Sequence, residues 1–210
     1  MSTRDRRAWG SLTRERIVVA ALDLARREGL GAVTIRRVAE EAGASRMALY
    51  RHVADKEALV ELVADAVAEA VVPPVEADRP WPEQLRVFAR ELRATLLAYP
   101  GFADLLAARH GHGPGALRLF DTVIGIIRSA GLDGAATARW FTVFMDVVVG
   151  RVHRESSGDG HSVLLGHAPV DVEGLPHLGA VAPHLGSTTS EDLFESELTL
   201  VIEAIRAQTS

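Results

Sequence analysis

The chain of 210 residues is 48% hydrophobic and 24% charged, has a formal net charge of −5 at pH 7, and contains no cysteine. Its length suits one or two compact domains with a buried core. The absence of cysteine excludes disulfides, thiolate metal ligands and cysteine nucleophiles, and it fits a reducing cytosol. No run approaches the roughly 20 apolar residues that span a bilayer, and no apolar stretch follows the arginine-rich residues 1–9. We therefore expect a soluble cytoplasmic protein without a signal peptide.

The charge is divided unevenly along the chain. Residues 1–56 contain 12 Lys and Arg against 7 Asp and Glu, a net charge of +5, whereas residues 57–210 contain 11 against 21, a net charge of −10. A basic N-terminal piece on an acidic body predicts a polyanion-binding module, although scattered surface charge would also be consistent with these numbers.

Apolar residues recur with helical period along almost the whole chain, and no alternating run predicts a strand. The fold class predicted is therefore all-α. Because Thr, Ser and Asp favour helix N-caps and Gly favours the residue after a helix, we place helices at residues 13–28, 34–42, 46–52, 55–71, 83–98, 102–109, 116–130, 134–153 and 191–207.

The segment VPPVEADRPWP at residues 72–82 contains four prolines and cannot continue a helix. It predicts a boundary between one domain at 1–72 and another at 80–210. Residues 155–190 are rich in Gly, Ser, His and Pro, and loops of that length are either functional or disordered. Within them Leu175, Leu178, Val181 and Leu185 predict one short helical ridge.

The most informative stretch runs from Thr34 to Lys56, where Gly43-Ala44-Ser45 separates two short helices. This spacing indicates a helix-turn-helix, whose second helix enters the major groove of DNA; two ordinary helices with a solvated basic face are the alternative. Thr34 caps a helix whose N-terminus favours a phosphate. The predicted DNA-binding residues are Thr34, Arg36, Arg37, Ser45, Arg46, Met47, Ala48, Tyr50, Arg51, His52 and Lys56.

The run VTIRRVAEEAGASRMALYRHVADKEAL, residues 33–59, resembles the tetracycline-repressor (TetR) family of bacterial transcriptional regulators. The specific resemblance covers roughly residues 17–62; LRATLLAYPG and LPHLGAVAPHL are similar, less specifically, to one subgroup of the family's regulatory domain. The resemblance implies an all-helical homodimer whose small-molecule effector releases DNA.

The resemblance also assigns roles by position. Tyr50, His52 and Lys56 match residues that contact the DNA backbone or bases, and Thr34 and Arg36 match positions that contact phosphate or a base edge. Arg46, Met47 and Ala48 match the variable positions that read bases, so Arg46 is our candidate for guanine recognition. Residues 1–9, with Arg4, Arg6 and Arg7, are a candidate arm for further phosphate contacts.

The helix predicted at 134–153 is apolar around most of its circumference, which requires burial on more than one side. Together with the last helix it predicts a homodimer that reads a pseudo-palindromic operator; a thick monomer core is the alternative. The predicted interface residues are Phe141, Val148, Val152, Phe194, Leu198, Val201, Ile202 and Ile205.

A cavity for a mostly apolar organic effector is predicted among the helices after the DNA-binding unit, on the strength of the resemblance. Its candidate walls, each of which could equally be simple core, are Phe88, Leu92, Leu96, Leu105, Leu106, Phe120, Val123, Ile127, Trp140 and Phe144. Candidate polar contacts are Arg109, His110 and Asp146. A tilt of the helix at 55–71 would transmit effector binding in the cavity to the DNA-binding unit.

Other classes of function have little support in the sequence. The eight histidines show no convergent spacing, so we predict no metal and no cofactor. No phosphate-binding glycine loop, Gly-x-Ser-x-Gly elbow or His-Glu-x-x-His helix occurs, so we predict no enzyme. The remaining alternative is a DNA-binding protein whose C-terminal domain only dimerises or docks a protein.

Overall fold

The computed structural model describes residues 12–71, 78–108, 113–156, 172–185 and 187–209. Every regular element in these ranges is helical, which confirms the all-α prediction. The elements are α1 (Arg14–Glu28), a 3₁₀ turn (Leu30–Ala32), α2 (Ile35–Glu41), α3 (Arg46–Leu49), α4 (Lys56–Val71), α5 (Trp81–Leu97), α6 (Phe102–Ala108), α7 (Pro114–Arg128), α8 (Gly134–Ser156), α9 (Pro176–Leu185) and α10 (Ser190–Arg206).

The helix boundaries differ from the prediction at several ends, each time for a local reason. Helix α3 ends at Leu49 rather than near residue 52, because Arg51 and His52 donate to the carbonyls three residues earlier and tighten the chain into a turn. Helix α5 begins at Trp81 because Pro82 lies in the first turn, where its missing N–H costs nothing. Helix α8 continues three residues further than predicted, to Ser156.

Short polar side chains begin the helices of the N-terminal unit. The hydroxyl of Thr13 accepts a hydrogen bond from the backbone N–H of Arg16 at 3.3 Å, and the Thr34 hydroxyl accepts from Arg37 at 3.3 Å. Each cap satisfies a backbone donor that the first turn of a helix leaves without a partner. The sequence placed both caps correctly.

Two packed regions share one continuous core. In the N-terminal unit, Ile17, Leu24 and Leu49 are fully buried; in the body, Phe88 and Phe144 pack with ring centroids 6.2 Å apart. Helix α4 belongs to both regions, because it packs against α1 of the first and against α5 and α7 of the second. The N-terminal unit and the body are therefore joined by a shared helix rather than by a loop alone.

Ion pairs on the surface of the body tie α5 to α8 and α10. Arg90 binds Glu195 at 2.7 Å, and Arg93 binds Glu155 at 3.1 Å as well as Glu191. The hydrogen bond from Arg90 lowers the pKa of Glu195 below its ordinary value. These contacts hold α10 against the first helix of the body.

Most of the residues predicted at the dimer interface are buried within the single chain. Helix α8 packs against α5, α7 and α10, so the apolar stripes of α8 and α10 are covered by the chain itself. A side chain without exposed surface has nothing to offer a partner. The predicted interface residues that are at most 4% exposed in the single chain are Val148, Val152, Phe194, Leu198, Val201, Ile202 and Ile205.

The predicted ridge at 175–185 does form a helix, α9, with Pro176 in its first turn. None of its residues is buried, and Leu175 and Val181 are about half exposed. No helix in the described ranges is long and apolar enough to cross a membrane.

Candidate nucleic-acid interface and ligand cavity

Helices α2 and α3 form the predicted helix-turn-helix. Gly43 has φ +63°, a left-handed conformation that side chains rarely adopt, and it reverses the chain directly after α2. Ser45 then caps α3, its hydroxyl accepting from the N–H of Ala48 at 3.1 Å. Only four residues, 42–45, therefore separate α2 from α3, and the two helices pack against each other.

Two buried side chains decide which face of α3 is presented to solvent. Leu49 is fully buried and Val53 nearly so. Met47, at 75% exposure, and Tyr50, at 50%, are among the large apolar side chains that the chain leaves in water. Large apolar groups exposed together among basic residues are typical of a contact surface.

The basic residues near α3 form no ion pair with any residue that the structure describes. Arg46, Arg51 and Lys56 are exposed, and none of them forms an ion pair with another described residue. His52 is exposed in the turn beside them, whereas Ala48 is half-buried. Unpaired cations on an exposed surface are available to neutralise phosphates.

The two arginines of α2 differ from Arg46 and Arg51 because both are already paired. Arg36 binds Glu40 at 3.1 Å, with both side chains mostly exposed. Arg37 makes two hydrogen bonds to the carboxylate of Glu28 at 2.6 and 2.7 Å, and these lower the pKa of Glu28 and raise that of Arg37. Arg37 therefore ties α2 to α1, a structural role that the sequence did not predict.

A cavity of about 520 Å³ lies in the body between α4, α5, α6, α7 and α8. Its lining residues are Val67, Ala68, Val71, Leu92, Leu96, Phe102, Leu106, Ala116, Leu119, Phe120, Phe141, Thr142, Met145, Asp146, Val149, Gly150 and His153. Phe120 and Phe141 meet edge to face in this wall, with centroids 5.4 Å apart.

The cavity includes some of the predicted effector residues and leaves out others. Leu92, Leu96, Leu106, Phe120 and Asp146 line it. Those outside the lining are Phe88, Val123, Ile127 and Phe144, which are buried in the core, and Leu105 and Trp140, which are half-buried. Arg109, His110 and the arginine-rich residues 1–9 lie outside the described residues.

Several lining residues were missed by the sequence analysis. Val67, Ala68 and Val71 belong to α4, whose apolar positions look like ordinary core when read by helical period. Phe141, which the sequence analysis places at the dimer interface, lines the cavity. The helical period of apolar residues identifies the inward face of a helix. It does not reveal where the inward faces of several helices leave a cavity between them.

Two contacts connect the cavity walls to the N-terminal unit. The carboxylate of Asp65 in α4 accepts backbone hydrogen bonds from Gly115 at 2.7 Å and Ala116 at 3.3 Å, and so caps α7. The N–H of Leu30, after α1, donates to the carbonyl of Pro100 at 2.8 Å, between α5 and α6. Ala116 lines the cavity, so a shift of that wall bears directly on α4.

The protein has two parts: a helix-turn-helix unit and a helical body that contains a cavity. One helix, α4, is shared by both. Residues 17–63 match the family described as bacterial regulatory proteins, tetR family. Residues 73–209 match the tetracycline repressor-like C-terminal domain. The chain therefore belongs to the TetR family.

Individual relatives agree with this assignment. The chain is 34% identical over 145 residues to an HTH-type transcriptional regulator from Saccharopolyspora erythraea, covering 69% of this chain and 61% of that protein. It is 36% identical over 123 residues to the HTH-type transcriptional repressor DrrR1 from Streptomyces coeruleorubidus, covering 58% of this chain and 46% of that protein. The matches thus span about half to three-fifths of these relatives' lengths.

Among solved structures, the chain is similar to ActR from Streptomyces coelicolor in complex with actinorhodin. The two share 28% sequence identity and a TM-score of 0.80, and the match covers 94% of this chain and 96% of ActR.

Proposed function

We propose that this protein is a sequence-specific DNA-binding transcriptional regulator, a repressor that a small organic effector releases from its operator. The observation that carries the proposal is that α4 packs in the N-terminal unit and also lines the cavity of the body. Its Leu59 and Val63 are fully buried, in a helix that packs on α1 of the N-terminal unit, and its Val67 and Val71 form a wall of the cavity. A molecule in the cavity therefore touches the helix that holds the DNA-binding unit.

In this proposal α3 lies in the major groove of DNA. Arg46 reads a base edge, since a bidentate arginine–guanine pair discriminates by about 1–3 kcal/mol. Lys56, Tyr50 and Arg51 contact the backbone and position the protein without specifying sequence. The names of the regulator and repressor relatives support DNA binding and repression as the outcome.

The functional form proposed is a homodimer on a pseudo-palindromic operator, with half-sites about 34–36 Å apart or a multiple of that distance. Because the predicted stripe is internal, we assign the interface to outward apolar residues instead. Leu200 on α10 is 71% exposed and Val143 on α8 is 36% exposed, on two helices that pack together. The exposed helix α9 adds further apolar surface.

The cavity supports a small organic effector. Its volume of about 520 Å³ lies within the roughly 300–1,000 Å³ of typical ligand pockets, and the related ActR structure contains actinorhodin. Helix α4 has 16 residues and is therefore roughly 24 Å long at about 1.5 Å per residue. A small tilt of this helix changes the separation of the two α3 helices, and about 1–3 kcal/mol of coupling suffices for regulation.

The cavity also separates this proposal from a body that only dimerises or docks a protein. A fully packed body would favour docking, whereas an apolar void among five helices favours a ligand. We place the protein in the bacterial cytoplasm, where its proposed operator lies.

Selection of bound duplexes from a random DNA library tests the proposal. The full chain should enrich a palindromic consensus, and a screen of organic compounds should then find molecules that release it. Enrichment of no consensus would overturn the proposed DNA recognition. If no compound releases the protein from DNA and the body remains packed around α4, the docking alternative would be favoured.

A further inference from the structure

The polar side chains among the described lining residues of the cavity all belong to one helix. Val67, Leu96 and Phe120 represent the apolar walls on α4, α5 and α7, and α6 contributes Phe102 and Leu106. The polar side chains of the described lining are Thr142, Asp146 and His153, all on α8. Among the described side chains, a ligand in the cavity therefore meets hydrocarbon on four helices and polar groups on the fifth.

The free polar groups along this edge are acceptors. Asp146 has no hydrogen bond or ion pair with any described residue, and an ionised carboxylate can only accept. The Thr142 hydroxyl donates its hydrogen to the carbonyl of Ala138 at 3.0 Å, so what it offers the cavity is its lone pairs. Residues 142 and 146 are one helical turn apart and lie on the same face.

The remaining polar side chain already has a partner. Nδ1 of His153 contacts the carboxylate of Asp104 on α6, at the edge of the cavity. No lysine or arginine is among the described lining residues. The carboxylate of Asp146 is exposed, and it is the charged group of the described lining that has no ion pair with another described residue.

We propose that the effector is an amphiphilic organic cation. Its apolar body fills the space between α4 and α7, and its ammonium or other donating group binds Asp146, with Thr142 as a second acceptor. An organic anion of the same shape would meet the carboxylate of Asp146 with like charge. This inference rests on the proposed function, in which the cavity is the effector site.

Three anthracenes that share one ring system are suitable probes. 9-(Aminomethyl)anthracene is a cation at pH 7, 9-(hydroxymethyl)anthracene is neutral, and 9-anthracenecarboxylate is an anion. Binding to the full chain is followed by fluorescence anisotropy at low salt, without DNA. The cation should bind about tenfold more tightly than the anion, which corresponds to about 1.4 kcal/mol, and the neutral compound should fall between them.

Asp146→Asn should remove most of this preference by weakening the cation and strengthening the anion. The matched control is Asp121→Asn, which removes the same charge from an exposed position on α7 outside the cavity lining and should keep the wild-type ranking. Salt should compress the difference in the wild type by screening the charge. Failure of the cation to bind, equal or tighter binding of the anion, or a cation preference that survives Asp146→Asn would each overturn the inference.

The two proposals fail separately. Because the anisotropy assay contains no DNA, a wrong ligand class leaves operator recognition unaffected. If the protein clearly prefers the cation but enriches no DNA consensus, the proposal that it is a DNA-binding regulator would be overturned. The proposed ligand class would be unaffected.

Discussion

Arg26 on α1 donates a hydrogen bond from Nη2 to the hydroxyl of Tyr99 at 2.9 Å, and its guanidinium carbon lies 5.3 Å from the centroid of the same ring. Tyr99 is only 4% exposed, at the corner between α5 and α6. Beside it, Gly29 at φ +80° packs against Pro100, to which Leu30 is hydrogen-bonded. The N-terminal unit thus touches the body at a second place besides α4.

Tyr99→Phe should weaken this second contact while keeping the ring and its packing. Loss of one hydrogen bond should lower the free energy of unfolding by about 0.5–1.5 kcal/mol, measured by urea denaturation. Arg26→Ala in the Tyr99→Phe background should then cost less than Arg26→Ala alone. Equal costs in the two backgrounds would show that the two side chains are not coupled.

Arg46→Ala and Lys56→Ala should have different effects on DNA binding. Loss of the Arg46 side chain should relax sequence preference by about 1–3 kcal/mol at one base pair per half-site. Loss of Lys56 should weaken all duplexes alike and reduce the salt slope by about one unit per subunit. Binding titrations on the selected operator and on scrambled DNA separate these outcomes, and an unchanged consensus for Arg46→Ala would refute the assigned base contact.

Gly115→Ala should force α4 and α7 apart. A Cβ at this position would collide with the carbonyl oxygen of Asp65 and crowd the side chain of Glu69. We expect a loss of about 1–3 kcal/mol in the free energy of unfolding, as for other overpacked sites. Gly125→Ala on the same helix is the control: it has open space and should stabilise the protein by about 0.8–1.0 kcal/mol through helix propensity.

Leu200→Glu should produce monomers if the exposed face of α10 is the dimer interface. A charge placed in an apolar contact is costly because it loses water without gaining a partner. Leu117→Glu alters a comparably exposed leucine on α7, at 56% exposure, and should leave the dimer intact. Sedimentation velocity at micromolar concentration distinguishes the two, and a dimeric Leu200→Glu protein would place the interface elsewhere.

The stability of the body should fall in acid partly through Glu195. The hydrogen bond from Arg90 places the folded-state pKa of Glu195 below its ordinary value of 4.5. The resulting stabilisation is complete above that ordinary value and is lost as pH falls through the lowered pKa. Because the pair is partly exposed, we expect at most about 1 kcal/mol. In urea titrations the difference between wild type and Glu195→Gln should shrink below pH 4.5; a difference independent of pH would contradict this role.

Local chemistry made the helix-turn-helix predictable. Thr34 and Ser45 have hydroxyls that cap, Gly43 adopts the left-handed turn, and Leu49 supplies the buried anchor, all within a short stretch of chain. Each of these features depends on neighbours only a few residues away. The order of the helices followed for the same reason, since apolar period and helix caps are local.

Only the tertiary structure determined whether the inward face of each helix contacts the core of its own chain or borders a cavity. The apolar stripe of α10 has the same period whether it packs on its own chain or on a partner, and Phe194 and Ile202 proved to be internal. Likewise Val67 and Val71 look like core and instead border a void. Arg37 is basic and near the motif, yet it is bound to Glu28. Period, cap and charge are properties of one segment, whereas a cavity, an ion pair between helices or a free surface depends on how distant segments pack.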